Sequence, residues 1–123
     1  MSCKSKVDKK NKLVHITLSG TMAVDVALQY TMGARALADK HDYARLLFDI
    51  RKFESRPSMM QVFSIAAKPE ERGLTSKYKR ATVFSGDEQG EDLRFFENVS
   101  VNRGYKVACF TSIKKAIEWL TAG

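Results

Sequence analysis

Residues 44–51 read Ala44-Arg45-Leu46-Leu47-Phe48-Asp49-Ile50-Arg51, and the fold follows from how that stretch is interpreted. Leu46 to Ile50 is an almost continuous apolar run bounded by charges. A strand with one wet face alternates apolar and polar residues, whereas a strand covered on both faces need not. Strands of the second kind belong mostly to parallel sheets flanked by helices, so this run predicts a central strand.

Toward the amino terminus, Val24, Ala27, Tyr30, Ala34, Leu37 and Ala38 recur at threes and fours, which predicts an amphipathic helix over 24–40. Before it, Leu13 to Leu18 alternates in part and halts at Gly20, a strand followed by a breaker. Cys3 to Val7 pairs with that strand if Lys9-Lys10-Asn11 forms the turn. Otherwise residues 1–6 are a flexible basic tail.

Toward the carboxyl terminus, Pro57 suits the first turn of a helix, and Ser58 with Gln61 three residues on is a capping-box spacing. A helix is expected over 57–68. Its apolar face, with Met59, Met60, Phe63 and Ile65, is broader than a single sheet contact covers. Lys79 to Ser85 reads as the next strand. The acidic segment Asp87 to Asp92 then opens a helix carrying Leu93, Phe96 and Val99, with Gly104 at its end. Tyr105 to Phe110 reads as a last strand, and Thr111 or Ser112 caps a final helix with Ile113, Ala116, Ile117 and Leu120 on one stripe. Strands alternating with helices in this way define an α/β sandwich of four to five strands and about four helices, its first strand antiparallel.

The chain has 123 residues, 44% of them hydrophobic, with only seven Gly and two Pro. That composition excludes a disordered or collagen-like polymer and fits one domain spanning 1–123. No apolar run reaches the roughly 18–20 residues of a transmembrane helix, and Met1 leads into polar residues rather than a signal-peptide core, so a cytoplasmic protein is expected. Cys3 and Cys109 are too few for a disulfide framework. The net charge of +7 is weighted toward residues 1–12, which hold five lysines against Asp8. That cluster has neither arginine nor aromatic residues, so nucleic acid is not an expected partner.

The order and spacing of Ile16-Thr17-Leu18-Ser19-Gly20, Leu46 to Arg51, Arg80-Ala81-Thr82-Val83-Phe84, Val107 to Phe110 and Ala116-Ile117-Glu118-Trp119-Leu120 resemble those of the bacterial SpoIIAA-like proteins. These are similar to STAS domains, the fold of the anti-sigma-factor antagonists. The resemblance implies a non-catalytic regulatory module, with a phosphorylated serine after the strand that ends in Asp. Here the matching stretch is Asp49 to Ser58, which makes Ser55 and Ser58 the candidate phosphorylation sites. Arg56 and Pro57 stand where the family pattern has a second serine and a glycine. The plainer reading of both serines is helix capping.

Other chemistry finds little support. His15 and His41 have no ligand partner at metal spacing, no Gly-x-Ser-x-Gly elbow is present, and Ser85 to Gly90 lacks a phosphate-loop pattern. No catalytic residue, cofactor or metal is expected. Ligands of parallel sheets meet the carboxyl ends of the strands, which marks Asp49, Arg51, Glu54 and Ser85 as a candidate rim. Met59, Met60, Phe63 and Ile65 mark a candidate interface. The expected function is protein interaction by a homodimer whose protein partner is not specified. The alternative is a small carrier holding a lipid-like molecule against that helix, with Arg51 or Arg56 at its head group.

Overall fold

The computed structural model describes residues 1–54, 58, 60–61, 73–86 and 90–122. Among these, β1 (Ser2–Asp8), β2 (Leu13–Gly20), β3 (Arg45–Phe53), β4 (Lys79–Val83) and β5 (Lys106–Phe110) form one sheet in the order β1-β2-β3-β4-β5. The helices are α1 (Val24–Lys40), α2 (Gly90–Asn102) and α3 (Ile113–Thr121). β1 is antiparallel to β2 and the remaining neighbours are parallel. The mixed α/β sheet expected from the sequence is therefore present. Three helices are seen among the described residues. The helix expected over 57–68 lies outside them apart from its first turn, where Met60 and Gln61 are helical.

The amino-terminal segment takes the hairpin course. Ser2 to Asp8 pairs with Leu13 to Ser19, and the Asp8 carboxylate accepts from both the Asn11 backbone N–H (3.0 Å) and its side-chain amide (2.9 Å). Lys12 closes the turn in the left-handed region at φ 54°.

β3 is central because both its faces are buried. Leu46 and Ile50 join Val14, Ile16 and Leu18 beneath Ala34 and Ala38 of α1, whose small side chains let the helix lie close. Leu47, one residue out of phase, joins Leu13, Ala81 and Val83 beneath Ala116 and Leu120 of α3. Each fully buried leucine contributes about 1.5–3 kcal/mol relative to exposure. α2 runs beside the edge strand β5, where the Glu97 carboxylate accepts from the backbone N–H of Cys109 (2.8 Å) and occupies a sheet-edge donor.

α3 is fastened at both ends. Ser112 is its N-cap, accepting from the Lys115 N–H at 3.4 Å. At the other end the Lys79 ammonium donates to the carbonyls of Trp119 and Ala122, and it sits 4.4 Å from the centre of the Trp119 ring. A cation there complements the negative end of the helix dipole.

Candidate functional site at the carboxyl ends of the parallel strands

The rim differs from its sequence outline because β3 does not stop at Asp49. Thr17 faces Asp49 in the ladder but Ser19 faces Lys52, so Ile50 and Arg51 together stand opposite Leu18, a β-bulge. The extra residue allows both Ile50 and Phe53 to reach the core under α1, although their spacing of three would otherwise send them to opposite faces. Arg51 and Lys52 are both left exposed. Asp49 lies inside the strand, level with Val83 of β4.

The bulge brings Arg51 back onto Asp49. Nε of Arg51 donates to Oδ1 and Nη2 to Oδ2, each at 2.9 Å, and the Arg51 backbone N–H adds a third bond to Oδ1 at 3.1 Å. Asp49 is only 4% exposed, while the Arg51 side chain is 45% exposed. Burial by itself pushes the Asp49 carboxyl up, but the Arg51 hydrogen bonds and charge outweigh it and hold the group below its usual value. The same bonds raise the guanidinium. The pair is thus a fixed charge pair, ionised on both sides through the neutral range.

On β2, His15 points to the same side of the sheet as Asp49. Its ring is half-buried, and its Nε2 is enclosed with no hydrogen-bond partner among the described residues. Burial lowers its pKa; Asp49 acts in the opposite sense, while Arg51 and Lys6 reinforce the fall. The sequence offered one signal for this grouping. His15 and Asp49 each lie two residues beyond a leucine, Leu13 and Leu47, that faces α3.

Of the four rim residues, the described structure joins only Asp49 and Arg51. Glu54 lies one residue past β3, where its backbone N–H donates to Gly20 O at 2.9 Å, and Ser85 is exposed two residues past β4. Ser58 forms the reciprocal capping box that its spacing suggests. Gln61 N–H donates to Ser58 Oγ (3.1 Å), and Ser58 N–H donates to Gln61 Oε1 (2.9 Å). The hydroxyl is thereby engaged in capping while the residue stays exposed. Met60, beside that cap, is 81% exposed. Ser55, Met59, Phe63 and Ile65 lie outside the described residues, as does Arg56.

Among the described residues no group of His, Cys, Asp and Glu is arranged to hold a metal ion, and no helix is long and apolar enough to cross a membrane. Fold and site together define an α/β protein with a mixed five-stranded sheet and a buried, neutralised carboxylate near the strand ends. No protein-family model matches the chain, and no curated protein sequence matches it.

Proposed function

We propose that the chain is a STAS-like, non-catalytic regulatory module that acts in the cytoplasm as a homodimer and binds a protein partner. Its contact surface is the segment expected from the sequence to be helical over 57–68, together with the strand-end rim. The observation that carries this reading is the Asp49–Arg51 pair. A general acid or base needs a proton equilibrium near the working pH and a coordination position left open. Asp49 has neither, because Arg51 fills both its oxygens and holds it ionised. What the rim offers a partner is fixed charge and shape, and the exposed Met60 supplies an adaptable apolar contact.

Native mass spectrometry of the untagged protein tests the proposal. The expected species is a dimer of unmodified or singly phosphorylated chains, which Met60→Glu converts to a folded monomer. A wild-type monomer carrying nothing overturns the homodimer. An apolar compound released only on denaturation replaces the interaction reading with that of a lipid carrier. Phosphate in the spectrum, mapped to Ser58 or Ser55, assigns the regulatory step.

A further inference from the structure

The amino ends of the four parallel strands lie along the edge of the sheet opposite the rim, and the turns feeding them are rich in cations. Lys9, Lys10 and Lys12 stand exposed in the β1–β2 turn. Lys40 at the end of α1, Lys77 before β4 and Arg103 before β5 are exposed as well. Within the sheet, Arg45, Lys79 and Lys106 are direct cross-strand partners on three neighbouring strands. Like charges placed opposite one another destabilise a sheet, so this row works against the fold. Lys79 registers that cost, since burial and then the charges of Arg45 and Lys106 hold its ammonium below its usual pKa.

Part of this charge has an internal use. Lys79 caps α3, Arg45 donates from Nη1 to Asn11 O at 2.9 Å, and Lys40 suits the end of the α1 dipole. The Lys77 ammonium lies 5.3 Å from the centre of the Tyr78 ring, and among the described residues the exposed lysines at 9, 10, 12 and 106 have no such duty. The nearby carboxylates do not balance them. Asp8 is taken up by Asn11, and Asp39 by Arg35 and the Tyr78 hydroxyl, which among the described residues leaves Asp42 and Glu118. The edge therefore carries a concentrated share of the +7 net charge.

Its aromatic rings decide between anionic partners. The Tyr43 ring stacks on His41 with centroids 5.5 Å apart, Trp119 lies beneath Lys79, and Tyr105 lies 5.7 Å from the Arg80 guanidinium. These rings are engaged by the chain itself, whereas single-stranded nucleic acid is held by stacking bases on open rings. The exposed cations are mainly lysines, point charges on flexible stems, rather than the planar forks that read base edges or clamp single phosphates. They come from four separate turns along one edge. We propose that this edge docks electrostatically on an anionic lipid surface, with the opposite rim facing the cytoplasm.

The proposal is tested by co-sedimentation with phosphatidylcholine vesicles made with or without phosphatidylserine, at low and at high salt. Two variants with the same change in net charge separate position from total charge. Lys40→Gln/Lys77→Gln/Lys106→Gln strips the edge, and Lys52→Gln/Lys114→Gln/Lys115→Gln strips exposed lysines near the opposite end; circular dichroism checks that both are folded. Wild type is expected to bind only the anionic vesicles and to be released by salt. Each lysine near the surface adds about fivefold to partitioning, so the edge variant falls by about a hundredfold while the other stays near wild type. Equal losses in the two variants would overturn the proposal. So would absence of binding to anionic vesicles, or tighter binding to an RNA or DNA duplex at matched phosphate concentration.

Discussion

Asp49 is 4% exposed, and removing the Arg51 side chain while keeping its length, as in Arg51→Met, leaves its carboxylate with only the Arg51 backbone N–H as a partner among the described residues. Two charge-assisted hydrogen bonds at 2.9 Å are lost. Bonds of this kind contribute about 1.5–3 kcal/mol each when enclosed, but the Arg51 side chain is 45% exposed and water replaces part of what is removed. The expected loss at pH 7 is about 1–2 kcal/mol in total, which lowers the thermal midpoint by about 4–8 °C in a domain of this size. The pH dependence carries the sharper signature. Asp49 titrates below its usual value in the native protein, so its contribution is complete above the unfolded pKa of about 4 and fades as pH falls through the native pKa. In Arg51→Met, burial acts with little opposition and the carboxyl moves up. The gap between variant and wild type should therefore be widest near neutrality and close in acid. Urea unfolding followed by circular dichroism at pH 7, 5 and 3 measures it, with Asp49→Asn/Arg51→Met completing a double-mutant cycle. A variant as stable as wild type at pH 7, or a gap of constant size down to pH 3, would refute the reasoning.

Three further outcomes follow from the same geometry. His15 titrates below its usual value because it is buried, so the unfolded chain takes up its proton first and stability falls as pH drops below about 6.5; His15→Gln should flatten the urea midpoint between pH 7 and 5, and an unchanged slope would show that another group is responsible. Lys79→Met removes the C-terminal cap of α3 and the cation over Trp119, with an expected loss of about 1 kcal/mol and a shift in Trp119 fluorescence; unchanged emission and stability would mean that the cap contributes nothing. Burial, reinforced by Glu97, pushes the Cys109 thiol up to about 12, so a thiolate-selective reagent at pH 8 should modify Cys3 long before Cys109, and equal rates would contradict that environment.

The elements that buried most surface were the most legible. The apolar run at 46–50 announced a two-sided strand, and the three- and four-residue spacing of Val24 to Ala38 outlined α1, because in both cases the periodicity is the burial pattern itself. Ser58 and Gln61 were readable as a cap because the reciprocal bonds depend only on local spacing. The bulge in β3 was not readable. It is a property of two strands at once, set by the need of Ile50 and Phe53 for the same side of the sheet, and a single strand's pattern carries no record of its neighbour's register. The same limit applies to the cationic edge. Arg45, Lys79 and Lys106 are far apart in sequence, and only the parallel crossovers bring them into one row, whereas the amino-terminal lysines are obvious as a run.

The order of strands across the sheet is also their order along the chain. A doubly wound sheet whose order reverses must place later strands on both sides of an early one, but here each new strand docks against the one made just before it. During synthesis the hairpin of β1 and β2 leaves the ribosome before β3 and offers one edge for it, which offers the next for β4, and so on to β5. Among the five described strands none waits for a distant partner and none has to be inserted between two already paired, so the intermediates of vectorial folding expose one growing edge at a time. The last strand to arrive is the one whose edge Glu97 of α2 already stands ready to cover.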